Sequence, residues 1–583
     1  MKKFIQKPLL ALNRHLGLWK EAVHQASLLE MARQRVFAAG IVMAMSYVAI
    51  AGRLIDVMTL QSTLKNDESL TSETDLYPRG EILDRNGSIL ATHLVTASLY
   101  TNSKVVLNAK DAATKLAKLF PEIGYETLYN RLSSGKGFSW LVRHIPPRMQ
   151  QAVNELGIPG VYLQTDYKRV YPYGQLTSHI VGYCGIDSAG LSGVEQFHNA
   201  KLSKSNESVR LSLDVRLQHV VHDVLTNAVE EFKAEGANAM VMDIKTGEML
   251  AMVSLPDFNP NRLNDVKPTA TFNRNTLGVY EPGSTFKIVN TAIALESGHA
   301  TVRSIYDASA PIRLGRFTIT DFKGKNRPLT LSEGLIYSSN IVAIKVAQQF
   351  GIQKQKEYFE KFGITKATHL EIHEIGKPLI PAVWKEPTLM TASYGYGIAV
   401  TPLQIMSTIG TIINDGLPVK PTLMYKSYEQ RQELLDSQND LVPLVSQKTS
   451  RSIREMLRMI VRNSQVRTID VKGYEVFGKT GTSYQNKGHG YSGKSRNTFF
   501  VGAFPVSDPQ IMVVVMIDDP KASAKTYNYA TAGWNAAPTA GHIVARIAPL
   551  LGFQPTEADA PMEYIHADTP VAGLINTSLK REQ

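Results

Sequence analysis

Apolar and polar positions follow several different rhythms along this chain. Residues 36–52, VFAAGIVMAMSYVAIAG, form an unbroken apolar stretch without a charge, bracketed by Arg35 and Arg53. Seventeen helical residues reach about 26 Å at about 1.5 Å each. A hydrocarbon core is about 30 Å thick, and snorkelling arginines can close the gap. The stretch predicts one transmembrane anchor over 36–55. A period-two rhythm runs through RGEILDRNGSILA (79–91) around Asn86-Gly87, the pattern of a hairpin. RVYPYGQLTSHIVGY (169–183) reads as strand and turn, and Gly-rich GLSGVEQF (190–197) follows it. The polar run KLSKSNES (201–208) is a linker candidate. From 209 a short strand precedes Leu217, Val220, Val221, Val224 and Leu225 at helical spacing. Two strands are predicted around Lys245-Thr246-Gly247 within 237–256, a long helical region over 331–350, and strands over 473–482, 498–505 and 510–517. Helices between sheet-forming runs predict an α/β (α+β) fold, an antiparallel sheet flanked by helices.

The 583 residues exceed one domain. A net charge of +11 raises the question of nucleic acid. The basic residues are spread along the whole chain, however, without zinc-ligand spacing or an aromatic–basic signature, so no nucleic-acid partner is expected. Charge does orient the anchor. Lys2, Lys3, Lys7, Arg14, Lys20, Arg33 and Arg35 precede it against Glu21 and Glu30. Asp56, Asp67, Glu68, Glu73 and Asp75 outnumber Arg53 and Lys65 after it. The positive-inside rule then puts the N-terminus in the cytoplasm and the body outside. Ala49-Ile50-Ala51 fits a signal-peptidase site, but the leader is long for a cleaved signal, which favours a retained anchor. Cys184 is the only cysteine, which excludes an intramolecular disulfide and a multi-cysteine metal site. It reads as a buried thiol.

Candidate chemistry lies in three short elements. In EPGSTFKIVNTAIALESG (281–298) a Pro-Gly break leads into an amphipathic helix, with Ser284 at its first turn and Lys287 on the same face. A serine needs a base within reach to become a nucleophile, and a helix N-terminus offers N–H groups to an oxyanion. Ser62…Lys65 and Ser133…Lys136 share the spacing but lack that frame. The second element is Ser338-Ser339-Asn340 between apolar runs, unlike Ser437…Asn439 and Ser495…Asn497, which lie in polar segments. The third is Lys479-Thr480-Gly481-Thr482 after strand-like YEVFG. Its counterpart Lys245-Thr246-Gly247 reads as a plain hairpin turn. A glycine inside a strand marks close approach of another backbone or a ligand. The order Ser-x-x-Lys, Ser-x-Asn, Lys-Thr-Gly is that of penicillin-binding proteins and class A β-lactamases.

On these motifs the chain resembles the class B penicillin-binding proteins, monofunctional peptidoglycan D,D-transpeptidases, and most of all their cell-division type. RGEILDRNGSILA, RVYPYGQLTSHIVGY and GLSGVEQF look like the family's pedestal. LSLDVRLQ, VMDIKTGEMLAMVSLPDFNPN, YEPGSTFK and YGYGIAVTPLQ look like its catalytic domain. The resemblance implies a cytoplasmic segment (1–35), an anchor (36–55), a mixed α/β pedestal (56–205), a penicillin-binding/β-lactamase-like transpeptidase domain (206–555) and a tail (556–583). It implies Ser284 as acylated nucleophile, Lys287 as base, Ser338 as proton relay and Asn340 as holder of Lys287. Lys479, Thr480 and Thr482 would grip the substrate's terminal carboxylate, with Gly481 a further substrate-binding position, and the amides of Ser284 and Thr482 would form the oxyanion hole. No cofactor or metal is implied. The implied partners are peptidoglycan stem peptides, β-lactams, a polytopic glycan polymerase and other division membrane proteins at the bacterial inner membrane.

Other readings stay open on residues alone. A β-lactamase would need a deacylating Glu, which no position marks. A bifunctional synthase would need a glycosyltransferase where the pedestal lies. An inactive penicillin-binding scaffold or sensor, or an elongation-type enzyme, would carry the same motifs. The loop EIHEIGK (371–377) is only loosely family-like, and the polar run YQNKGHGYSGKSRN (484–497) has no assigned role.

Overall fold

The computed structural model describes residues 28–64, 79–204, 207–315, 317–463, 469–486 and 491–556. Most of the N-terminal segment expected to be cytoplasmic (1–35), the tail beyond 556 and the centre of the polar run lie outside those residues. The chain divides into two compact units, 1–76 and 77–583. In the first, one helix (α1, Leu28–Leu64) contains the apolar stretch Arg35–Arg53, long and apolar enough to cross a membrane, with none of it buried by protein. Ser46 donates its hydroxyl to the Val42 carbonyl at 2.9 Å. That satisfies a polar group within the helix, as a hydrocarbon surround would demand.

Among the described residues the second unit holds two five-stranded sheets and two small two-stranded ones. β1 (Ile82–Leu83) and β2 (Ile89–Thr101) form the expected hairpin, pairing antiparallel on either side of Gly87, whose φ of 88° suits the turn. α2 (Ala109–Leu119) and α3 (Tyr125–Leu132) follow, packed on one face of the growing sheet. β3 (Ser139–Ile145) and β4 (Val161–Val170) flank β2 on opposite sides, and β5 (Val209–Arg210) pairs parallel with β1. The stretch 169–183 departs from the strand-and-turn expectation. After Val170 the chain enters a 3-10 turn (Gly174–Thr177) and a helix (Ser178–Val181). The reason is tertiary: Ile180 and Val181 are buried in the main core, which half-helical spacing serves and alternation does not. A buried carboxylate, Glu195, joins these pieces by accepting from Arg79 Nε at 2.7 Å and Arg169 Nε at 2.6 Å. These pairings cluster the segments that the sequence marks by RGEILDRNG, RVYPYG and GLSGVEQF.

The second five-stranded sheet is antiparallel. After α4 (Val215–Phe232), capped by the Asp214 carboxylate accepting from the Arg216 N–H, come β6 (Gly236–Asp243) and β7 (Met249–Leu255) around the Lys245–Gly247 turn. β8 (Phe477–Asn486), β9 (Tyr491–Phe504) and β10 (Ile511–Asp518) complete the order β8-β9-β10-β6-β7. Both faces are covered. Ala239, Val241, Val513 and Val515 pack towards α4 and the C-terminal helix Ala536–Leu550. Met240, Met242, Met512 and Val514 face the opposite core, which includes Lys287–Glu296 and Pro402–Ile413. Two-sided burial explains why these strands read as continuous apolar runs rather than alternation.

Candidate active site

The expected helical region at 331–350 is broken where the chemistry lies. A helix (Leu331–Ile336), capped by Thr330 and Glu333, stops, and another (Asn340–Lys361) begins. Between them Ser338 adopts φ 60°, a conformation sparsely populated by L-residues and costing on the order of 1 kcal/mol or more. Periodicity could not show this, since the apolar residues on both sides keep helical spacing.

Ser284 sits on a 3-10 turn (Gly283–Phe286) that runs straight into the helix Lys287–Glu296. Three glycines allow the surrounding backbones to meet. A Cβ on Gly283 would lie 2.9 Å from the Thr482 carbonyl oxygen, and one on Gly481 2.9 Å from the Pro282 carbonyl oxygen. Gly395 accepts the Gly283 N–H at 3.0 Å, and a Cβ there would lie 2.1 Å from the Gly283 carbonyl oxygen. Ser483 also donates its hydroxyl to the Glu281 carbonyl at 2.8 Å. Strand β8 is thereby lashed alongside the serine turn, which is why the Lys-Thr-Gly element carries its glycine.

Lys287 is the hub. Its side chain is buried, and Nζ lies 3.1 Å from Ser284 Oγ, 3.2 Å from Ser338 Oγ, 2.6 Å from the Ser338 carbonyl oxygen and 2.7 Å from Asn340 Oδ1. Burial, then the charge of Lys479, hold its pKa well below the usual lysine value, with Asp321 opposing. A neutral amine has two N–H groups and one lone pair. The Ser338 carbonyl and Asn340 Oδ1 can only accept, so they take both N–H groups and leave the lone pair for a serine hydroxyl. Lys479 is also buried, and burial pushes it down to about 8. Ser284, Ser338, Thr480 and Thr482 remain half-buried, reachable from solvent. Thr482 Oγ1 accepts from the Ala532 N–H at 3.2 Å, and Tyr396 donates to its carbonyl at 3.4 Å.

Ser284, Lys287, Ser338, Asn340, Lys479, Gly481 and Thr482 therefore converge, although the three elements are far apart in the chain, and Thr480 lies between Lys479 and Gly481 on β8. The decoys do not converge. Ser437 and Asn439 are exposed, Ser133 donates to the Tyr129 carbonyl of its own helix, and Gly247 makes a turn with φ 74°. Cys184 is half-buried rather than fully buried, and burial followed by the nearby Glu195 pushes its thiol up to about 12. It is no nucleophile at neutral pH. Sequence reasoning missed Asp321, whose carboxylate accepts from Ser339 Oγ and the Asn340 N–H, each at 2.6 Å. It sits in a polar loop with no spacing relation to any motif.

A helix-borne serine, a buried lysine touching it and a sheet edge with a second lysine define a serine acyltransferase. The penicillin binding protein transpeptidase domain matches residues 237–543, and the penicillin-binding protein dimerisation domain matches residues 75–220. The chain belongs to the penicillin-binding protein transpeptidase family. It is 32% identical over 494 residues to the probable peptidoglycan D,D-transpeptidase FtsI of Caulobacter vibrioides, covering 82% of each chain. It is 30% identical over 516 residues to the peptidoglycan D,D-transpeptidase FtsI of Escherichia coli, covering 82% of this chain and 84% of that one. The fold matches penicillin binding protein 3 of Mycobacterium tuberculosis, solved with aztreonam, at a TM-score of 0.63 and 22% identity, over 83% of this chain and 99% of that one.

Proposed function

We propose that the protein is a serine D,D-transpeptidase that cross-links peptidoglycan stem peptides in cell division, through an acyl-enzyme on Ser284. The contact of Lys287 Nζ with Ser284 Oγ at 3.1 Å carries the reading, together with the two acceptors that fix the amine's protons. Neutral Lys287 takes the Ser284 proton as Oγ attacks the carbonyl between the two terminal D-alanines. The oxyanion is met by the backbone N–H groups of Ser284 and Thr482, each such donor contributing about 3–4 kcal/mol. The close approach of Thr482 to Gly283 supports this pairing. Ser338 passes a proton to the leaving amine, the C–N bond breaks, and D-alanine departs. An amine of a second stem peptide then attacks the ester and regenerates Ser284. Lys479, Thr480 and Thr482 hold the substrate carboxylate along β8, and β-lactams enter by the same route.

The chain is organised as an anchor over 36–55, a pedestal over 56–205 and a catalytic domain over 206–555. The helix anchors the protein in the inner membrane with the catalytic domain in the periplasm, which the charge bias around Arg35–Arg53 supports. A polytopic glycan polymerase and other division proteins would meet it there. Labelling with a fluorescent penicillin tests the whole reading, with the wild type run beside Ser284→Ala and the adduct located by peptide mass. A lasting adduct on Ser284, absent from the variant, is expected. An adduct elsewhere, one lost within seconds, or none at all refutes it.

A further inference from the structure

Asp321 lies beside this machinery and has no part in the mechanism above. It follows a short strand (Phe317–Ile319) and reaches the turn between the two helices from a different segment. Its Oδ2 accepts from Ser339 Oγ at 2.6 Å, and its Oδ1 accepts from the N–H groups of Asn340 at 2.6 Å and Ile341 at 3.2 Å. A carboxylate on the first N–H groups of a helix is favoured by both hydrogen bonding and the helix dipole. The Ser339 hydroxyl also accepts from the Val342 N–H at 3.0 Å, so the Asp321–Ser339 pair caps Asn340–Lys361 together. The preceding residue completes the clamp, its carbonyl accepting from Asn340 Nδ2 at 2.9 Å. That contact fixes which end of the Asn340 amide faces Lys287.

We propose that Asp321 is a positioning residue, holding the Ser338–Asn340 turn so that its acceptors face Lys287 while its own charge stays one residue removed from the amine. The inference rests on Lys287 being the base for Ser284. Direct contact would lock the ammonium into an ion pair and spoil the base. At one remove the carboxylate organises the turn and only partly offsets Lys479, whose like charge and the burial of the amine prevail. The other charged groups of this loop make contacts of their own. Lys325 lies over the Tyr337 ring at 4.5 Å, Lys323 lies 5.5 Å from the Tyr529 ring, and Arg327 pairs with Glu333 at 2.7 Å.

The test is the pH dependence of penicillin acylation in Asp321→Asn and Asp321→Ala, with Ser284→Ala as control. Asparagine keeps the shape and removes the charge that favours the Lys287 ammonium. Its rising acid limb should move to lower pH by about half a unit or more, with a plateau several-fold lower. Alanine should also release the turn and lower the plateau at least tenfold. Plateaus within twofold of wild type, or an Asn variant whose acid limb stays at the wild-type pH, overturn the proposal. Because asparagine preserves the cap's size, it remains informative if the alanine variant misfolds. A label that persists in Ser284→Ala would instead overturn the assignment of the nucleophile.

Discussion

Raising the pH should switch this site off through Lys479, and the size of the effect follows from its burial. The side chain is 2% exposed in β8, and its pKa falls from 10.5 to about 8 for that reason. A drop of that size corresponds to about 3 kcal/mol at about 1.4 kcal/mol per unit. If the ammonium grips the substrate carboxylate, only the protonated fraction of free enzyme acylates productively. That fraction is about one half at pH 8, about one tenth at pH 9 and about one hundredth at pH 10. The second-order acylation constant with a carboxylate-bearing penicillin should therefore fall about tenfold between pH 7 and 9, and about tenfold again by pH 10. Quenched-flow labelling measures it, with circular dichroism confirming the fold at each pH. Lys479→Met should acylate at least tenfold more slowly at pH 7 and show no alkaline limb. A wild-type rate that stays level to pH 10, or the same limb in the methionine variant, would refute the reasoning. Stability supplies a second check. A lysine with a lowered folded pKa binds fewer protons than the unfolded chain, so stability rises with pH between about 8 and 10.5. Lys479→Met should stabilise the fold by up to about 3 kcal/mol at pH 7 in urea unfolding, a gain that fades towards pH 10.5.

Gly481→Ala would put a methyl group 2.9 Å from both the Pro282 carbonyl oxygen and Thr285 Cγ2. The strand must then retreat from the serine turn, so acylation should drop on the order of 10- to 100-fold with a stability loss of about 1–3 kcal/mol, read by labelling and chemical unfolding. Glu195→Gln strips the charge that two buried guanidiniums share, and should cost about 3–5 kcal/mol in unfolding experiments. Cys184 should resist iodoacetamide at pH 8 in the native protein and react once unfolded, as a thiol pushed up to about 12 requires.

Much of this molecule is written in local pattern. The charge-free run between Arg35 and Arg53, the Asn86-Gly87 hairpin, the strands around Lys245–Gly247 and the helix behind Ser284 each depend on neighbours a few residues away, so composition and periodicity find them. The three catalytic elements were also visible, because each combines unusual residue types with a distinctive flank. Their meeting was not. Whether Lys287 reaches Ser338 and Asn340, and whether Lys479 is near enough to lower its pKa, depends on how β8, the serine turn and a broken helix pack. The break itself escaped periodicity because Ser338 turns through a positive φ while the apolar spacing continues on both sides. Asp321 escaped it too, since a single carboxylate in a polar loop has no local signature. Its role exists only where folding brings it to a helix start. Short-range preferences set the elements, whereas the lowered pKa of Lys287 and the contacts that surround its amine are products of burial and of long-range contact.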